Sequence, residues 1–195
     1  MKPGPTPGEA QQAHLRLLPP PPEERVKPLG LAVGDVVVYA SHGIGRVEAR
    51  QPGGEGLPET VALVFDSGLR VILPVAQALD ALRPPSGERD LEDVRRTLRA
   101  ELSTPVEPWS RRNRATRDKV AAGHASALAE VVRDGLHQEQ RLAAAGSRTI
   151  APSDRQLYVR ARTLLTAEIA LCRGIDLAEA DAWIVDQVAQ QGPTT

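Results

Sequence analysis

Val33-Gly34-Asp35-Val36-Val37-Val38-Tyr39 is the stretch that decides the fold of the first half of this chain. Gly34-Asp35 makes a turn, and the β-branched and aromatic run behind it belongs in a strand. His42-Gly43-Ile44-Gly45 follows, then Arg46-Val47-Glu48-Ala49-Arg50 with alternating character. Gly43 and Gly45 permit a tight bend or a close backbone approach. They are too few to cradle a phosphate, and no helix follows them, so a nucleotide loop is rejected. His42, with no acid or nucleophile beside it, reads as a turn residue.

Outward from that strand, Gln51–Pro58 is a Gly/Pro loop. Val61-Ala62-Leu63-Val64-Phe65 and Leu69-Arg70-Val71-Ile72-Leu73-Pro74, joined by Asp66-Ser67-Gly68, form a hairpin. A fifth short strand is placed near Ala81-Leu82-Arg83. Five short strands in about 55 residues predict a small, strongly bent barrel whose open edges can pair with a partner's strand. Pro84-Pro85-Ser86-Gly87 marks a boundary, and everything after it is helical in pattern. The fold class is therefore α+β.

Asp90 is expected to cap a helix carrying Leu91, Val94, Leu98 and Leu102, stopped by Ser103-Thr104-Pro105. A helix from Trp109 runs to Ala122, with Gly123 as its stop. A third carries Leu128, Val131, Val132, Leu136 and Leu142; Gly135 inside it costs about 1 kcal/mol relative to Ala, which marks a weak point or a close helix contact. Pro152 opens the longest helix, with Leu157, Ala161, Leu164, Leu165, Ile169 and Cys172 in a stripe. Glu168 falls beside that stripe and is expected to pair with an arginine of another helix. Asp176 and Glu179 form a capping box for a last helix bearing Leu177, Ala180, Ile184 and Val188, closed by Gly192-Pro193.

Residues 1–28, with Pro3, Pro5, Pro7 and Pro19–Pro22, read as a disordered tail. One cysteine, Cys172, leaves no internal disulfide and no Cys-based zinc site. Four scattered histidines lack metal-ligand spacing, so neither metal nor cofactor is expected. No apolar run reaches the length of a membrane span, and no basic-then-apolar signal opens the chain. A soluble, cytoplasmic protein with no membrane partner is the plain reading. No carboxylate pair or nucleophile–base set supports an enzyme.

The net charge of −1 hides a division. Between Trp109 and Arg173 stand 12 basic and 6 acidic residues, a balance of +6, so the remainder carries −7. A basic module with acidic flanks suits a polyanion for one part of the chain, though an arginine-rich solvated surface would give the same count. Pro108-Trp109-Ser110-Arg111-Arg112-Asn113-Arg114 sharpens the choice. A flat apolar ring at a helix start, flanked by guanidinium groups, is the chemistry of a wedge against nucleic acid. A tryptophan at a helix start can equally fill a core.

Two sets of stretches resemble the CarD/CdnL family of bacterial transcription regulators. Val33–Tyr39, His42–Gly45 and Gly68–Pro74 resemble that family's RNA-polymerase-interacting domain, a five-stranded Tudor-like barrel. Trp109–Arg112, Ala129–Asp134, Ala161-Arg162 and Glu168–Leu171 resemble its helical DNA-binding domain. The resemblance runs from about Leu31 to about Gln190, in order. The barrel also occurs in transcription-repair coupling factors, but there a helicase follows. On this reading residues 29–84 form the polymerase-interacting domain and 88–191 the DNA-binding domain.

The resemblance implies a mechanism. The barrel pairs with the β subunit of RNA polymerase, and Arg50, Val61, Leu63, Arg70 and Ile72 are the residues expected there. The helical domain lies on promoter DNA at the upstream fork of the bubble. Trp109 wedges into the minor groove and hinders bubble collapse, while Arg114 and Arg155 face phosphates; Arg111 and Arg112, beside the ring in sequence, are read as further DNA contacts. No base-specific reading is implied, and a monomer is expected. The chain departs from the family pattern in the tail, in the Gly/Pro-rich loop at 51–58, and at Ile72, where some relatives carry a basic residue used against polymerase. Two other functions compete: an interaction module that binds a protein without acting on DNA, and a sequence-specific repressor. The repressor would need a recognition helix and a dimer seam, and neither is visible.

Overall fold

The computed structural model describes residues 30–102, 108–146 and 150–190. The tail read over 1–28 and the stops read at Ser103–Pro105 and Gly192-Pro193 lie outside the described residues. Strands β1 (Val36–Tyr39), β2 (Gly43–Gln51), β3 (Thr60–Phe65), β4 (Arg70–Pro74) and β5 (Leu82–Arg83) form one antiparallel sheet in the order β4-β3-β2-β1-β5. The sheet is curled but open, a half-barrel with β4 and β5 as its edges. A register shift between Val47 and Ala49 on β2 bends the sheet against β3. Val37, Val47, Val61, Leu63, Phe65 and Leu73 fill its inner face, with Leu31 and Leu82.

A short helix, α1 (Val75–Ala81), sits between β4 and β5 and buries Ala78. Seven residues are too few to show a helical period, and nothing in the sequence pattern announced it. Five longer helices follow: α2 (Glu88–Arg99), α3 (Trp109–Ala122), α4 (Ala125–Ala144), α5 (Pro152–Arg173) and α6 (Leu177–Ala189). Helix α2 starts two residues before Asp90, which occupies its first turn and accepts a hydrogen bond from the Gly87 N–H at 2.9 Å instead of serving as the N-cap. The helix also stops at Arg99, so Leu102 lies beyond it and is exposed. Leu177, expected on the core stripe of α6, is likewise exposed, while Ala180, Ile184 and Val188 are buried. The Asp176–Glu179 capping box forms as expected, with Glu179 N–H donating to Asp176 Oδ1 at 2.8 Å.

The helical core joins Leu91, Val94 and Leu98 to Leu128, Val132, Leu165, Ile169 and Ile184. Gly135 is where α4 and α5 touch: a Cβ there would stand 2.2 Å from the Tyr158 ring. Tyr158 then donates to Glu139 Oε2 at 3.0 Å and accepts from Arg162 at 2.8 Å, and Arg162 holds Asp181 through two bonds of 2.6 Å. This chain of polar groups ties α4, α5 and α6 together. Burial pushes the Tyr158 hydroxyl up to about 12 against the opposing pull of Arg162.

Sheet and helices belong to one compact unit that begins at Leu31. Its seam is polar and buried. Glu168 on α5 is 1% exposed. Its carboxylate accepts from Arg83 Nη1 and Nη2 at 2.5 and 2.7 Å and from the Ser86 N–H and hydroxyl at 2.8 and 2.7 Å. The expectation that Glu168 meets an arginine was correct, but the arginine lies on β5 and not on a helix. Burial pushes the Glu168 carboxyl up, yet Arg83 and Ser86 outweigh it and hold it below the usual carboxylate range. Arg83 also donates to the Gly123 carbonyl, at 2.6 Å from Nη2. Gly123 ends α3 in the left-handed region (φ 66°), and a Cβ there would stand 2.6 Å from Cβ of Ala40 in the β1–β2 turn. Arg160 closes the same turn by donating to the Ser41 carbonyl at 2.8 Å.

Candidate nucleic-acid interface

Helix α3 buries only Asn113 and Val120, so most of its surface faces outward. Pro108 precedes it with extended backbone (ψ 145°), and its carbonyl accepts from the N–H groups of Arg111 and Arg112. Trp109 is thus the first helical residue and projects from the end of α3. It is 52% exposed. A core tryptophan would not leave half its surface in water, so the choice between core and projecting ring is settled by burial.

The ring is nonetheless held. Its Nε1–H donates to Asp154 Oδ2 at 3.0 Å. Asp154 stands in the first turn of α5, so the contact brings the N-termini of α3 and α5 side by side. Its second oxygen accepts from Asn113 Nδ2 at 2.6 Å, and Asn113 Oδ1 accepts from Arg117 at 3.2 Å. Arg111, Arg112 and Arg114 on α3 and Arg155 on α5 are all exposed and flank this contact in sequence. Elsewhere in the basic segment Lys119 pairs with Glu130, Arg133 with Asp134 and Arg162 with Asp181. Asp154 was not legible as a partner of Trp109, because it lies 45 positions away; Asn113, one turn from the ring on α3, gains its part only through Asp154.

Trp183 is placed differently. It packs against the helical core, with the guanidinium carbons of Arg95 and Arg173 at 5.9 and 5.2 Å from its ring centroid.

On the sheet, the residues expected at a polymerase contact separate into two groups. Arg70 and Ile72 lie on β4, an open edge, and share its outer face; Ile72 is 67% exposed. Arg70 forms an ion pair with Glu48. Arg50, on β2, pairs with Glu59 through a bond of 2.5 Å. Val61 and Leu63 are fully buried, and their side chains fill the inner face of the sheet on β3, beside β4.

Among the described residues no group of three or more His, Cys, Asp or Glu could hold a metal ion. No described helix is long and apolar enough to cross a membrane.

Residues 31–86 match the family model described as the CarD-like/TRCF RID domain. Residues 93–185 match the one described as CarD, C-terminal domain. The chain is similar to the candidate transcription factor YdeB of Bacillus subtilis (strain 168), with 27% identity over 148 residues that cover 73% of this chain and 92% of that protein.

Proposed function

The chain belongs to the CarD-like family of transcription regulators, which implies regulation of transcription through RNA polymerase; from that premise we propose that it stabilises the promoter open complex. In this reading the β4 edge, with Arg70 and Ile72, pairs with the polymerase β subunit in the cytoplasm. Trp109 lodges in the minor groove at the upstream edge of the bubble. Arg111, Arg112, Arg114 and Arg155 hold phosphates on either side.

The observation that carries the reading is the half-exposed Trp109 ring, set where the starts of α3 and α5 meet, with Arg111, Arg112, Arg114 and Arg155 exposed close by in sequence. Inserting an apolar ring costs a few kcal/mol in lost stacking. At a fork, stacking is already interrupted, so the cost is smaller there than in closed duplex. The ring then favours open over closed DNA without reading sequence. The buried Arg83–Glu168 seam supports the coupling: with sheet and helices locked, polymerase held at β4 carries the ring to a fixed place.

The test is the lifetime of open complexes on cognate polymerase, with wild type and Trp109→Ala. A wedge gives a markedly shorter lifetime in the variant with near-normal folding stability. An unchanged lifetime rejects the wedge. Absence of salt-dependent DNA binding by the wild type would favour a module that contacts only protein.

A further inference from the structure

We propose that Asp154 is a positioning residue for Trp109, holding the indole ring in the pose that enters DNA; this rests on the reading of Trp109 as a wedge. A half-exposed tryptophan at the first position of a helix has no neighbours on its outer side to fix its two side-chain torsions. Left free, the ring would be ordered only on binding, and that ordering weakens the complex. The structure supplies a fixed acceptor instead. Asp154 Oδ2 takes the indole N–H at 3.0 Å.

The acceptor is itself immobilised. Asn113, 8% exposed, donates to the other carboxylate oxygen at 2.6 Å. Arg117 in turn fixes the Asn113 amide by donating to its oxygen at 3.2 Å, which sets Nδ2 toward Asp154. Trp109, Asn113 and Arg117 follow at intervals of four on α3 and so share one stripe of the helix. A carboxylate suits the first turn of α5, where the helix dipole favours negative charge. Both oxygens are used inside the protein, so this acid in a basic surface serves the ring.

Full-length protein carrying Trp183→Phe makes Trp109 the sole tryptophan, since the chain has two. In that background Asp154→Ala is expected to lower the fluorescence anisotropy of the ring through faster local motion. Open-complex lifetime should fall by about 3- to 10-fold. Asp154→Asn keeps an acceptor for the indole but turns a donor on Asn113, so it should recover part of the lifetime. It also serves if the alanine variant folds poorly. In a Trp109→Ala background, Asp154→Ala should have no further effect, because there is no ring left to place. A mobile ring with a wild-type lifetime overturns the assignment while the wedge stands. An equal loss of lifetime from Asp154→Ala with and without the ring shows a general electrostatic or structural role and overturns it too. If Trp109→Ala alone leaves the lifetime unchanged, the wedge falls first and the positioning role with it.

Discussion

Glu168→Gln tests the seam between sheet and helices with almost no change of shape. Three donors converge on Oε1: Arg83 Nη1, the Ser86 N–H and the Ser86 hydroxyl, at 2.5, 2.8 and 2.7 Å. One, Arg83 Nη2, reaches Oε2 at 2.7 Å. A glutamine would keep its oxygen where three donors meet and turn its amide NH2 toward Arg83 Nη2. One charge-assisted hydrogen bond, worth roughly 1.5–3 kcal/mol, becomes a donor–donor contact. The Arg83 side chain, only 22% exposed, also loses its counter-charge. Breaking a buried pair from one side costs about 3–5 kcal/mol. The Gly123 carbonyl still accepts from Arg83, which places the expected loss near the lower figure. Against a total stability of roughly 5–15 kcal/mol, that is a large fraction. Urea unfolding of both proteins measures it. The sign with pH follows from the lowered folded-state value of Glu168. Its contribution is complete above the ordinary glutamate value of 4.5 and is lost as pH falls through the lower value in the folded protein. The gap between wild type and variant should be full at about pH 7 and shrink toward about pH 3. A loss under about 1 kcal/mol at neutral pH, or a gap that does not shrink in acid, would refute the account of the seam.

Gly135→Ala should destabilise by roughly 1–3 kcal/mol by thermal melting, since the Tyr158 ring blocks the methyl and outweighs the gain in helix propensity. Arg114→Ala or Arg155→Ala should weaken binding to forked DNA of any sequence and lower the salt slope by about 1; a loss confined to one promoter sequence contradicts a phosphate contact. Ile72→Asp with Arg70→Glu should cost about 1–2 kcal/mol, because both side chains are on an exposed face but the Arg70–Glu48 ion pair becomes a like-charge pair, while capture by the polymerase β subunit falls far more than that loss explains. Undiminished capture would mean that another surface makes the contact.

Local chemistry determined much of this protein from the sequence alone. The β-branched run at Val36–Tyr39, the turn at Asp66–Gly68, Pro152 as a helix opener, Gly123 as a stop and the Asp176–Glu179 box each act within a few residues, so their signals survive in one dimension. Arg70 and Ile72 share a strand face by parity alone. That Trp109 starts a helix beside arginines was equally legible. What was not legible depends on residues far apart in the chain. On β3 every position from Val61 to Phe65 is apolar, so alternation could not say which face turns inward; packing put Val61 and Leu63 there. The cation for Glu168 comes from 85 positions away. Asp154, 45 positions from Trp109, becomes the acceptor for its ring only because α3 and α5 start side by side. Sequence fixes what each side chain can do within a turn or two of itself. Which partner it meets is set by how the sheet and helices pack, and only that packing left the Trp109 ring half in water with its N–H held.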